Sequence, residues 1–298
     1  MSNSFAGFIM TYERPEILLS TINIVFEQTL PPEKLLIIDN SFSNNTQDFV
    51  QKLNLPNIHY HRVGYNSGPA GAAAIGLKML SDEGYDWIYW GDDDDTPYFE
   101  NTFEILINMA LNNNYVGCVG SVGQFLNFKT GFIKRVPDND LYNNKILEVN
   151  NIAGGMSKIV NGKMVKEFQI FPDSKLFYGF EELDFDLKVK KVGYKLFINC
   201  EHFLKHRVKF NRVNLGKKKL LNKTSNQLRR EYYSIRNILY IFHDNKLFLP
   251  IFIFINYTIV KQFLRLKYGF HSTFTGFKIT FVAIYDFFKG IKGIKHIN

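Results

Sequence analysis

Four consecutive carboxylates, Asp92, Asp93, Asp94 and Asp95, end the aromatic and apolar stretch Tyr85-Asp86-Trp87-Ile88-Tyr89-Trp90-Gly91 and are followed by Thr96-Pro97. Adjacent like charges repel, so a chain that sets them at the end of a buried strand needs a cation there. Carboxylate oxygens are hard ligands, which makes that cation magnesium or manganese rather than zinc. Taken alone, the run fits an acidic surface turn closed by Thr96-Pro97 just as well. A second acidic group, Glu181-Glu182-Leu183-Asp184, follows Phe177-Tyr178-Gly179-Phe180 and opens a helical pattern that stops at Gly193. The helix dipole stabilises carboxylates at such a start, which is reason enough for them to be there. It also sets them where one can act as a general base, with the apparent pKa of at least one raised by its neighbours.

Between these groups lies a run of small residues, Gly64-Tyr65-Asn66-Ser67-Gly68-Pro69-Ala70-Gly71-Ala72-Ala73-Ala74-Ile75-Gly76, a loop entering a helix. Small side chains admit a ligand close to the backbone, and a helix start offers free N–H groups to an anion; close helix packing would produce the same composition. The run is neither a Walker loop nor the Rossmann glycine fingerprint, which argues against nucleoside triphosphate and nicotinamide chemistry. The net charge is +8 with a pI of about 9.2, and the basic residues gather late, over residues 205–219 and at Arg229, Arg230 and Arg236. That asymmetry calls for an anionic partner: a sugar-nucleotide phosphate, a lipid phosphate or an anionic membrane surface. No nucleic-acid module accompanies the charge, so no nucleic acid is expected as partner.

The elements that must position these residues alternate along the chain. Strands are expected over residues 5–10, 35–38 and 58–62, and helices over 15–28, with Ile17, Leu18, Thr21, Ile22 and Val25 on its inner face, and over 45–53. This alternation predicts an α/β fold with a mostly parallel sheet, whose ligands sit at the carboxyl ends of the strands. Those ends here are polar: Thr11 and Glu13, Asp39 and Asn40, then Asp92 to Asp94. With 298 residues, 46% hydrophobic and 21% charged, the chain is long and apolar enough for a full core. Cys118 and Cys200 lie in apolar runs and suggest a reducing compartment, and residues 1–6 carry no leader pattern, so the cytoplasm is expected.

In order, Thr11-Tyr12-x-Arg14-Pro15, the Gln28-Thr29-x-Pro31-Pro32 helix end, Ile37-Ile38-Asp39-Asn40-Ser41, Asn66-x-Gly68-x-Ala70-Gly71, Trp90-x-Asp92-Asp93-Asp94 and Pro97 resemble the nucleotide-binding half of family-two glycosyltransferases with the GT-A fold. The flavour is that of bacterial rhamnosyltransferases and galactofuranosyltransferases, and the likeness covers about the first 100 residues. The resemblance implies that Thr11, Tyr12 and Glu13 line the nucleotide pocket, Arg14 lies near the phosphates and Asp39 accepts from the base. It sets Asn66, Gly68, Ala70 and Gly71 around the ribose and sugar, and makes Asp92 and Asp93 part of the nucleotide-sugar site. Asp94 becomes the direct metal ligand, Asp92 holds the ribose or a metal-bound water, and Asp95 falls outside. The family's Glu-Asp-x-Asp segment matches Glu181-Glu182-x-Asp184, which makes Glu182 the base of inverting transfer, a methylene longer than the usual aspartate. A histidine thirteen residues past Gly193 completes the family's metal site; here it is His206, with His202 as rival and a solvated loop histidine as the bland alternative. An imidazole ligand implies manganese over magnesium.

Residues 116–122 are expected as a strand and 127–151 as irregular, while 150–157 resemble the family segment that approaches the donor sugar. The expected division is a catalytic domain over 1–222, split near 125 into a nucleotide-sugar half and an acceptor half, and a helical region over 223–298. Tyr232-Tyr233-x-x-Arg236-Asn237 recurs in the rhamnosyltransferase-like group. Residues 247–260 are apolar but short for a span; with the basic and aromatic residues after them they suit a helix on a membrane surface, or a cap on the catalytic domain or a second subunit of a homodimer. The expected function is metal-dependent inverting transfer from a UDP- or dTDP-sugar to a hydroxyl of a lipid-linked surface glycan at the inner face of the cell membrane. A nucleotide-sugar-binding protein that kept the fold without the chemistry is the competing class.

Overall fold

The computed structural model describes residues 4–153, 157–215 and 223–295. Strands β1 (Phe5–Thr11), β2 (Lys34–Asp39), β3 (Ile58–Arg62) and β4 (Trp87–Asp92) pair in parallel in the order β3-β2-β1-β4. Successive side chains point to opposite faces of a strand. Ala6, Phe8, Leu36, Ile38, Ile88 and Trp90 therefore enter one core, and Phe5, Ile9, Leu35, Ile37, Trp87 and Tyr89 the other. Helix α1 (Pro15–Phe26), which opens on a proline at its first turn, covers the second core together with α2 (Asn45–Leu53), and α3 (Gly68–Asp82) covers the first. Within α1, Leu18, Thr21, Ile22 and Val25 are buried as the periodicity predicts, but Ile17 is 43% exposed and lies off that face.

Beyond β4 the sheet continues through β5 (Val116–Gly120), preceded by α4 (Thr102–Leu111). The strand predicted over 116–122 breaks at Ser121, and Gly123–Leu126 begins a small second sheet as β6. The stretch expected to be irregular holds β7 (Ile133–Arg135), α5 (Asp138–Asn143) and β8 (Ile146–Glu148), elements of three to six residues too short to leave a periodic signature. Then come β9 (Asn151–Ile152), β10 (Lys158–Asn161), α6 (Gly162–Phe168), α7 (Glu181–Lys191), β11 (Lys195–Asn199) and α8 (Cys200–Lys209). Strand β10 enters antiparallel between β4 and β5 and completes the eight-stranded order β3-β2-β1-β4-β10-β5-β11-β8. Residues 154–156, within the segment expected to approach the donor sugar, lie outside the described residues, as do 216–222 of the basic run.

Three C-terminal helices, α9 (Ser225–Asp244), α10 (Phe248–Phe263) and α11 (Phe270–Phe288), pack on α7 and on the turn at Leu176. One core unites Leu176, Leu183 and Leu187 with Tyr232, Ile235, Leu239 and Ala283. Helix α9 opens on a capping box in which Thr224 and Gln227 satisfy each other's backbone N–H groups.

Candidate active site

Where the parallel half meets α7 and α9, a cavity of about 870 Å³ opens at the carboxyl ends of β1 and β4. Its walls include Thr11, Tyr12, Arg14, Asn66, Gly68, Asp92, Asp94, Glu181 and Glu182, nine of the residues singled out from sequence. The two acidic groups, some ninety residues apart in the chain, thus face one space.

Arg14 bridges the strand-end acids, donating from Nη2 to Asp93 and from Nη1 to Asp94 Oδ2 at 2.6 Å. Asp93 is buried below the cavity and accepts from Thr11 Oγ1 at 2.7 Å, while half of the Asp94 side chain remains exposed. Burial above all, then Glu182 and Asp93 nearby, drives the Asp92 carboxyl well above the usual range. Burial likewise raises Glu181 well above it, with Glu182 as the next cause, and Glu181 Oε2 is buried without a partner. Asp95 accepts from the Tyr98 hydroxyl at 3.0 Å and is pushed up to about 6 by burial; it is not on the cavity wall.

Two struts fix these groups. Lys158 on β10 and Asp186 on α7 form a fully buried ion pair at 2.6 Å, with the ammonium 4.9 Å from the centre of the Trp90 ring and Asp186 also accepting from the Ile152 N–H at 2.7 Å. Because Lys158 pairs with Trp90 in the sheet, this contact ties the helix carrying Glu181 and Glu182 to the strand ending at Asp92. The second strut is Asn237, whose amide is within bonding distance of the carbonyls of Leu176, Tyr178 and Gly179 at 2.9–3.0 Å, while Arg236 donates to the Leu176 carbonyl at 3.1 Å. The loop so held enters α7 through left-handed backbone at Phe177, Gly179 and Phe180, a conformation that persists only where surroundings enforce it. Gly68 meets the same loop: a Cβ there would stand 2.1 Å from the Phe177 carbonyl oxygen, so glycine is what permits the approach.

Several sequence candidates stand off the wall. Glu13 turns its carboxylate to the N–H groups of Phe42 and Ser43 at 2.8 and 2.9 Å and holds that turn. Asp39 is buried, accepting from the Ser41 N–H and the Tyr60 hydroxyl at 2.8 and 2.7 Å. Ala70 and Gly71 are interior residues of the first turn of α3. Asp184 is buried against Lys188 at 2.6 Å and the Asp173 N–H at 2.7 Å, bonds that commit it to the loop before α7. His206 is on α8 rather than in a loop, among the rings of Tyr98, Phe203 and Phe210, and both its nitrogens are buried without a partner. Among the described residues, no three histidine, cysteine, aspartate or glutamate side chains converge at metal-binding spacing. What the cavity does offer is the pair Asp92 and Asp94, a donor set that suits a hard divalent ion completed by substrate phosphate oxygens. Sequence reasoning did not assign Phe177, Tyr178, Arg230 and Ser234 to the wall, and named Asn40, which is on it, only as one of the polar strand ends. Arg230, 5.5 Å from the Tyr178 ring centre, belongs to a basic stretch whose charge alone could not say which arginine faces the site.

His202, the rival histidine, contacts Thr102 Oγ1 at 3.3 Å, and burial, then His206 and Lys205, lower its pKa to about 4. Unfolding restores the ordinary value of 6.5, so below that pH the unfolded chain takes up a proton the native state refuses until about 4. Stability is therefore lost as pH falls through this window. Urea titrations at about pH 7 and pH 5 should show His202→Gln losing less on acidification than the parent, by about 1–2 kcal/mol; equal losses would assign the acid sensitivity elsewhere.

A parallel half reversed at one inserted antiparallel strand gives the chain the GT-A fold of glycosyltransferases. The chain belongs to glycosyl transferase family 2, whose family model matches residues 8–158. The galactofuranosyltransferase GlfT1 of Mycolicibacterium smegmatis is 23% identical over 196 residues, 62% of this chain and 65% of that relative. The chain thus spans under two thirds of the length of the curated relatives it matches. Among solved structures, residues 1–349 of S. aureus TarS in complex with UDP superpose with a TM-score of 0.52 at 12% identity, over 96% of this chain and 92% of that one. The mannosyltransferase PcManGT from Pyrobaculum calidifontis, in complex with GDP-Man and Mn2+, gives 0.50 at 11% identity, over 95% and 86%.

Proposed function

We propose that this protein is a divalent-metal-dependent, inverting glycosyltransferase that moves a sugar from a UDP- or dTDP-sugar to a hydroxyl of a bacterial surface glycan carried on lipid. The observation that carries the reading is the convergence of Asp92, Asp94, Glu181 and Glu182 on one cavity beside Thr11, Tyr12 and Asn66. The relative GlfT1 is a galactofuranosyltransferase, and the structural neighbours are seen in complex with UDP or with GDP-Man and Mn2+, which supports the donor class and the metal.

Thr11, Tyr12 and Asn40 bound the nucleotide end of the cavity, with Asp39 acting from beneath through the loop it holds. Glu182 removes the proton from the acceptor hydroxyl, and the hydroxyl oxygen so freed bonds the anomeric carbon as the bond to the donor diphosphate breaks on the opposite face. The leaving diphosphate takes the electron pair, and Arg14 and Arg230 offer it their guanidinium groups. Asp94 and Asp92 would hold the divalent ion, whose chemistry is to neutralise that departing charge. The unpartnered ring nitrogens of His206 make it the candidate imidazole ligand, which favours manganese over magnesium. The protein acts in the cytoplasm at the inner face of the membrane.

A panel of nucleotide-sugars, each with manganese, magnesium or neither, checks the reading by thermal shift and by release of free nucleotide diphosphate. One or more donors should raise the melting temperature only with metal, with nucleotide release stimulated by acceptor. Binding without turnover in any acceptor extract would favour the non-catalytic alternative.

A further inference from the structure

The outer face of the C-terminal helices is apolar and cationic at once. On α11, Phe270, Phe274, Phe281 and Phe288 recur at spacings of four, seven and seven, one stripe of a helix, and they are 86%, 73%, 53% and 69% exposed. The rings of Phe263 on α10 and Phe277 on α11 meet at 4.9 Å, and Phe277 stacks on Phe281 at 6.0 Å, so the two helices present one continuous surface. From residue 246 to 295 the chain carries Lys246, Lys261, Arg265, Lys267, Lys278, Lys289, Lys292 and Lys295 against the single acid Asp286, which is buried against Tyr232 and Lys295. Of these cations, Lys246, Lys267, Lys278 and Lys289 are exposed, while Lys261 and Arg265 pair with Glu231, Lys292 with Asp173 and Lys295 with Asp286. Among the described residues 246–295 the face shows exposed cations and large apolar rings and no exposed carboxylate.

Resting on the glycosyltransferase reading above, we propose that this face docks on an anionic bilayer surface, with α10 and α11 lying in the headgroup boundary. The charge argues for lipid over a second copy, since pairing two such faces would set like charge against like. A crossing is disfavoured although Phe248–Tyr268, at 21 residues, has the length and hydropathy to span, longer than the sequence suggested because α10 runs on into the turn Leu264–Tyr268. Its inward side carries Gln262 and Arg265, and Arg265 and Lys261 pair with Glu231 of α9; moving α10 into hydrocarbon would strip that ion cluster.

Flotation of the full chain with phosphatidylcholine vesicles, with and without phosphatidylglycerol, tests this in the absence of donor. The protein should partition about tenfold or more in favour of the anionic vesicles and be released from them by alkaline carbonate. Phe270→Ser/Phe274→Ser/Phe281→Ser, at exposed positions, should lose at least about tenfold of this binding with the melting temperature and any donor-induced shift unchanged. The same variant should keep turnover of a water-soluble acceptor analogue and lose it on acceptor embedded in vesicles. Equal flotation of variant and parent, a parent that ignores the vesicles, retention through carbonate, or a solution dimer dispersed by the triple substitution would each overturn the proposal. Vesicle binding without sugar transfer from any donor would instead overturn the enzymatic reading and leave the docking surface standing.

Discussion

Glu182→Gln is expected to lower kcat for sugar transfer by about 10²–10⁴-fold, the range ascribed to a positioned general base, with donor affinity retained. The amide keeps the shape of the side chain and removes its capacity to accept the acceptor's proton. The assignment to Glu182 over Glu181 rests on environment. Burial, then the neighbouring Glu182, raises the Glu181 carboxyl well above its ordinary range, which favours its protonated form, one that cannot take up the acceptor's proton. Glu182 lines the same cavity and is itself a cause of the raised values of both Glu181 and Asp92. Its neutralisation therefore relieves repulsion, and the melting temperature of Glu182→Gln should rise while turnover falls, the trade expected where carboxylates are gathered for chemistry rather than stability. Steady-state kinetics alongside equilibrium donor binding check both parts. If Glu181→Gln abolished transfer and Glu182→Gln left it near normal, the roles of the two would be exchanged.

Asp94→Asn is expected to remove the metal-dependent part of donor binding and to lower turnover by about 10²–10³-fold, the scale for losing one preorganised charge contact to a departing anion. The carboxylate stands half exposed at the end of β4 with Arg14 Nη1 2.6 Å away, and the same guanidinium holds the buried Asp93. Arg14 thereby supplies the positive charge that the strand-end acids need to coexist. Asp94 and Asp92 would hold the divalent ion, which would supply neutralising charge to the diphosphate, and Arg14 beside them on the cavity wall would offer its guanidinium to the same phosphates. Titration of UDP against the protein with manganese, by calorimetry, should show affinity falling to the metal-free level in Asp94→Asn and little further change on chelation. A variant that kept full manganese-dependent affinity would move the metal away from Asp94.

The parallel half of the sheet was legible in the chain because parallel strands, buried on both faces, read as apolar runs that stop on polar residues. β2, β3 and α2 fall within a residue of the expected bounds, and the strand ends at Thr11 and Asp92 mark the cavity floor. The second half was less legible because its elements are short and its key contacts are between residues far apart in sequence. Nothing local distinguishes Asp184, which holds a loop, from Glu181 and Glu182, which face the cavity three and two residues earlier. Helix geometry sends adjacent side chains to different sides, and which side is inward depends on what packs there. His206 shows a related limit: the family resemblance made it a ligand candidate, while α8, which carries it, and the aromatic rings around it could not be read from the chain.

By itself, then, the sequence determined the class of fold, the two acidic groups and the order in which the chain visits them, since these follow from periodicity and residue type. Only the tertiary structure decided which acids meet. The buried Lys158–Asp186 pair and the grip of Asn237 on the loop before α7 bring Glu181 and Glu182 to Asp92 and turn Arg230 inward beside them. Those contacts join residues 28 and about 60 positions apart, and their energy depends on burial and distance, quantities that do not exist until the chain has folded.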